Sequence, residues 1–106
     1  MSRIQHKFNK MSNSIFIVGK VNPNGTSAGD GFSSALESNG IYRVTFSETL
    51  SSSPTVLATP DAPAPDENGR GAITLRRITP NSFEVVMNDM NANYIDYLGF
   101  NFIVVV

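Results

Sequence analysis

Hydrophobic and polar positions alternate along much of this 106-residue chain, and no stretch of ten or more residues carries a helical period. Tyr42, Val44 and Phe46 alternate with Arg43 and Thr45, which reads as a half-buried strand. Just before them, Asn39-Gly40 is a dipeptide suited to a type I′ turn, and Phe32 to Ser38 alternates weakly on its other side. A hairpin 32–38/41–47 follows from that pattern. Ile15 to Val18 is expected as a first strand ended by Gly19, and Thr55 to Thr59 as a strand entered at Pro54 and closed by Pro60. Ala72 to Ile78 resumes a strand with Ile73 and Leu75 facing inward. Phe83, Val85 and Met87 then alternate with Glu84 and Asn88. Tyr94 to Val106 supplies the last strand.

Turn signals separate these runs. Asn22-Pro23-Asn24-Gly25 opens a loose Ser/Gly segment that extends through Gly31, and Pro80-Asn81 turns the chain between two strands. Prolines, glycines and acidic residues from Pro60 to Gly71 make the longest loop. The expected fold class is therefore all-β, an antiparallel β-sandwich of six to eight strands. Residues 1–13 read as a flexible leader and 14–106 as a single domain.

The final seven residues are apolar on both faces of the expected strand. Phe100, Phe102, Val104 and Val106 share one face of a strand, and Ile103 and Val105 make the other face apolar too. A strand with two apolar faces calls for cover from its own core and from a neighbouring subunit, because a surface strand of an antiparallel sheet has one wet face. Phe100, Phe102, Ile103, Val104, Val105 and Val106 are thus the candidate oligomer interface.

Charge adds little attraction for nucleic acid: the net charge is −1, with Arg3, Lys7 and Lys10 concentrated in the leader. Met1 to Met11 lacks the apolar run of a secretory signal, and no stretch approaches the roughly 20 apolar residues of a spanning helix. No nucleic-acid partner and no membrane insertion are expected. These features assign no location.

Catalytic chemistry is sparse. There is no cysteine, and the one histidine, His6, lies in the leader, so a site of His and Cys metal ligands is excluded and no cofactor is expected. Ser51, Ser52 and Ser53 lack a nucleophile elbow and read as a turn. Asp61, Asp66 and Glu67 sit in the proline loop. Asp89, Asn91 and Asn93 precede Asp96 at a spacing that faintly resembles a calcium loop but lacks its glycine and closing glutamate, so a solvated turn is the plainer reading. The expectation is a protein that is not an enzyme; a carboxylate enzyme built on Asp89 and Asp96 is the remaining catalytic reading.

Two groups are candidates for ligand binding. Arg76 and Arg77, adjacent in an expected strand, point to opposite faces; an ion pair with Glu84 is the plain reading, and a hydrogen bond to a sugar hydroxyl or carboxylate the sharper one. Tyr94 and Tyr97 offer ring faces suited to stacking on a sugar.

A resemblance enters through the order of several phrases. Gly40-Ile41-Tyr42-Arg43-Val44-Thr45-Phe46 is followed by Ser51-Ser52-Ser53-Pro54-Thr55-Val56, then by Ile78-Thr79-Pro80-Asn81-Ser82-Phe83-Glu84-Val85 and Leu98-Gly99-Phe100-Asn101-Phe102-Ile103-Val104. Over roughly residues 15–106 the chain resembles the small β-sandwich modules at the C-termini of phage tail-fibre and phage-related bacterial proteins. It is also similar to the H-type lectin domain. The resemblance implies a homotrimeric sandwich, serving either as a structural or receptor-recognition module at a fibre tip or as a carbohydrate-binding protein with sites at subunit boundaries and a cell-surface glycan as partner. Phe102 stands where H-type lectins often carry tryptophan.

Overall fold

The computed structural model describes residues 16–62, 71–89 and 91–106. The leader, the loop residues Asp66, Glu67 and Arg70, and His6 lie outside the described residues. Among the described residues there are eight strands: β1 (Phe16–Val21), β2 (Ser27–Ala28), β3 (Phe32–Ser38), β4 (Ile41–Phe46), β5 (Thr55–Asp61), β6 (Ala72–Arg76), β7 (Ser82–Asn88) and β8 (Gly99–Val105). They form two four-stranded antiparallel sheets, β2-β1-β8-β5 and β3-β4-β7-β6. The fold is an all-β sandwich.

Alternation explains the core between the sheets. Ile17 and Val21 from β1, Phe100, Phe102 and Val104 from β8, and Val56 from β5 meet Tyr42, Val44, Phe46, Phe83, Val85 and Met87 from the opposite sheet. Aromatic rings link the two layers edge to face: Phe32 and Phe102 have centroids 4.9 Å apart, Phe83 and Phe102 5.3 Å, and Tyr42 and Phe100 5.5 Å. Tyr42 is fully buried but keeps its polar end paired, donating its hydroxyl to the Pro23 carbonyl at 2.8 Å.

Burial, followed by the negative charge of Asp96, pushes the Tyr42 phenol up to about 12. A raised folded-state value stabilises the fold below the ordinary value near 10. That contribution is lost as pH rises through about 12. Tyr42→Phe removes the hydroxyl and leaves the Pro23 carbonyl unpaired; a loss of about 1 kcal/mol in urea unfolding is expected, together with a weaker fall in stability between pH 10 and 12 than in the parent. An unchanged unfolding midpoint would remove Tyr42 as an anchor of the 22–25 turn.

Several element boundaries differ from the sequence expectation. β1 runs through Gly19 to Val21, and Gly19 belongs in the strand because the rings of Phe32 and Phe102 occupy the space that its Cβ would take. β5 continues through Pro60 to Asp61; as an edge strand it tolerates a residue without an N–H. The expected loose segment contains β2, and Tyr94 makes only an isolated bridge to Asn88, so the last strand begins at Gly99. Ile95 and Leu98 are buried between that bridge and β8.

The β3–β4 hairpin is where the alternation placed it, but its turn is not type I′. Gly40 has φ 76°, whereas Asn39 is not among the positive-φ residues. An irregular register between Leu36 and Ser38 accompanies the turn.

Candidate functional site

Register determines what each sheet shows to solvent. In β2-β1-β8-β5, residues directly opposite one another share a face, so Phe16 lies beside Val105 and Thr55, Val18 beside Ile103 and Leu57, and Lys20 beside Asn101 and Thr59. All of these point away from the core. Phe16 is 61% exposed, Val18 60%, Leu57 64% and Ile103 42%. Single exposed apolar residues are ordinary; four on three neighbouring strands form a patch. At one end the patch stops at an ion pair between Lys20 and Asp61, 2.9 Å long. A depression of about 410 Å³ lies between β5 and β8, with Leu57, Thr59, Asn101 and Ile103 among its walls.

The six C-terminal interface candidates divide between two environments. Phe100, Phe102 and Val104 are buried within the chain's own core, and Val106 packs partly against it. Ile103 and Val105 lie on the outer face. Phe16, Val18 and Leu57 complete that face and were not singled out from the sequence. The available signal was the run of apolar residues at both parities, Ile15-Phe16-Ile17-Val18 and Val56-Leu57-Ala58.

The outer face of the other sheet is ionic. Arg43, Glu84 and Arg76 stand side by side on β4, β7 and β6. Glu84 is only 2% exposed, accepting from Arg43 Nη2 at 2.5 Å and from Arg76 Nε at 2.7 Å. Arg77 Nη1 lies 3.6 Å from the same carboxylate, and Arg43 also pairs with Glu37. The Arg76 hydrogen bond holds the Glu84 carboxyl below the usual carboxylate range against the opposing effect of burial, and the charges of Arg77, Arg43 and Arg76 add to the lowering.

Arg76 and Arg77 do not point to opposite faces. β6 ends at Arg76, and Arg77 adopts φ 52°, a left-handed conformation that turns its side chain toward Glu84. The ion pair with Glu84 is thus the arrangement found, with Arg43 as a third partner from a strand distant in sequence.

The tyrosines lie elsewhere. Arg76 is opposite Glu84 and Tyr94 opposite Asn88, so four positions of β7, roughly 13 Å, separate the two groups. Tyr94 and Tyr97 are both exposed. The Asp89 carboxylate accepts backbone N–H bonds from Asn91 at 2.8 Å and Asn93 at 2.9 Å, and these bonds, those of Asn93 foremost, hold it below its ordinary range. Its oxygens close a turn. Among the described residues, no group of three or more His, Cys, Asp or Glu side chains converges to hold a metal. No protein-family model, curated protein or solved structure matches this chain.

Proposed function

We propose that this chain is a non-enzymatic structural or receptor-recognition module of a phage or phage-derived assembly, working as a homotrimer. The observation that carries this reading is the exposed apolar face built by Phe16, Val18, Leu57 and Ile103. A sheet face of that character is suited to burial against protein, whereas the charged and tyrosine-bearing surfaces remain available to a receptor. The trimer and the phage setting come from the resemblance of residues 15–106 to fibre-tip modules.

Light scattering after size exclusion, at several concentrations, tests the assembly. Three times the 11.5 kDa chain mass is expected. A monomer at every concentration would overturn the trimeric module.

The exposure of Arg77, Tyr94 and Tyr97 supports a second reading, in which the assembly binds a cell-surface glycan near these residues. Glycan-array binding by the parent, lost on substitution of Arg77 or Tyr97 by Ala, is the expected result. Binding retained in all four single variants at Arg76, Arg77, Tyr94 and Tyr97 would remove this site.

A further inference from the structure

We infer that the outer face of the β2-β1-β8-β5 sheet is covered by a second copy of this chain, with the β1 side of one copy lying against the β5 side of the next. The inference rests on the oligomeric reading above and gives it a register.

The pattern of charge along the face selects the orientation. Apolar residues occupy one end and centre, and Lys20 with Asp61 closes the other end. An axis running across the strands would lay the Lys20–Asp61 end of one copy on the Phe16 end of its neighbour, stripping water from an ion pair against apolar side chains that offer it no further hydrogen bonds. An axis parallel to β8 keeps like heights together. Apolar rows then meet apolar rows, and Lys20 of one copy approaches Asp61 of the next.

The same axis decides which side chains meet. Rotation about a line parallel to β8 preserves height along the strands and brings the β1 side of one copy to the β5 side of its neighbour; a twofold and a threefold axis do this alike. Val18 and Leu57 both stand opposite Ile103 and so share one height. Val18 therefore meets the neighbour's Leu57, on the side where the depression between β5 and β8 opens. One row away, bulky Phe16 meets the small Thr55, a size complement in the same register.

Three strands of six or seven residues cover roughly 350 Å² in projection. That is well short of the about 800 Å² per partner of a standard stable interface, so association in the micromolar range is expected.

The chain has no cysteine, so introduced thiols report cleanly. Within one chain, Val18 and Leu57 are two strand spacings apart, roughly 9.6 Å, beyond disulfide reach. Val18→Cys combined with Leu57→Cys should therefore cross-link only between copies under mild oxidation. A ladder ending at a closed dimer or trimer is expected, with the single variants largely uncrosslinked. Ile103→Lys, on an already exposed position, should leave the melting transition of the dissociated chain in place and weaken association by about 100-fold or more.

Three results would overturn the inference. One is an oligomer that forms normally but ignores Ile103→Lys, which would leave the proposed module standing with another interface. Another is equal cross-linking of each single cysteine variant. The third is a monomeric full chain that associates once residues 1–15 are removed, since that would make the segment itself the cover.

Discussion

Phe102→Ala is expected to remove about 3–5 kcal/mol of folding stability. Phe102 is buried at the centre of the sandwich, edge-on to Phe32 and Phe83 and tilted against Phe100. Deleting its ring loses the transfer free energy of a large aromatic and opens a cavity among neighbours held by both sheets. Gly19, whose missing Cβ makes room for this ring, cannot move inward to fill the gap without dragging β1. Against a total stability of about 5–15 kcal/mol for a domain, such a loss brings the variant near the edge of folding. Urea unfolding should show the midpoint falling sharply, with a drop in melting temperature of roughly 20 °C. The neighbouring outward position is the control: Ile103→Ala, measured on the dissociated chain, should change stability by under about 1 kcal/mol. Similar losses at both positions would contradict the division of β8 into a core face and an outer face.

Glu84→Gln carries the second large effect, about 2 kcal/mol at neutral pH. The carboxylate is buried and accepts from two guanidiniums, which alone would suggest a larger figure. Arg43 and Arg76 are each more than one-third exposed, however, so water screens the pairs and receives the released arginines. Glutamine keeps the shape and one acceptor oxygen but loses the charge.

The pH dependence separates this charge effect from packing. Glu84 titrates below its ordinary value of 4.5 when folded, so its contribution is present above that value and disappears as pH falls through the folded one. The parent should lose stability on acidification below about pH 4.5, and Glu84→Gln should lose less over the same window. Asp89, also lowered, leaves some slope in both. Parallel pH profiles would mean that Glu84 is not held by its arginines in the way the geometry requires.

Strands with strict alternation were legible in the sequence because one parity was apolar and the other polar. Tyr42, Val44 and Phe46 point inward as expected, as do Phe83, Val85 and Met87. The Arg76–Glu84 pair was legible because its two strands are consecutive. Arg43 was not tied to the same carboxylate, since residues 47–81 intervene between β4 and β7 and the adjacency of these strands is a product of topology. Ile15 to Val18 and Val56 to Ala58 are apolar at both parities, and such runs do not say which face turns outward. The solvent-facing patch was therefore visible only in its β8 half. Two backbone details also escaped. Gly19 reads as a strand end unless the rings above it are known, and nothing about an arginine announces the positive φ of Arg77.

The place of β8 in its sheet has a kinetic consequence. β8 pairs with β1 on one side and β5 on the other, so Phe16 finds its partner at Val105, 89 positions later in the chain. No pairing among the three long strands of that sheet can form without this last strand. β3 and β4, by contrast, close locally, and β6 and β7 do the same. Folding should thus begin with hairpins of the β3-β4-β7-β6 sheet and wait for a loop closure spanning most of the domain, placing it among β-proteins that fold in milliseconds to seconds. During that wait, β1 and β5 have only β8 to bridge them, and a strand offered by another molecule could take its place between them.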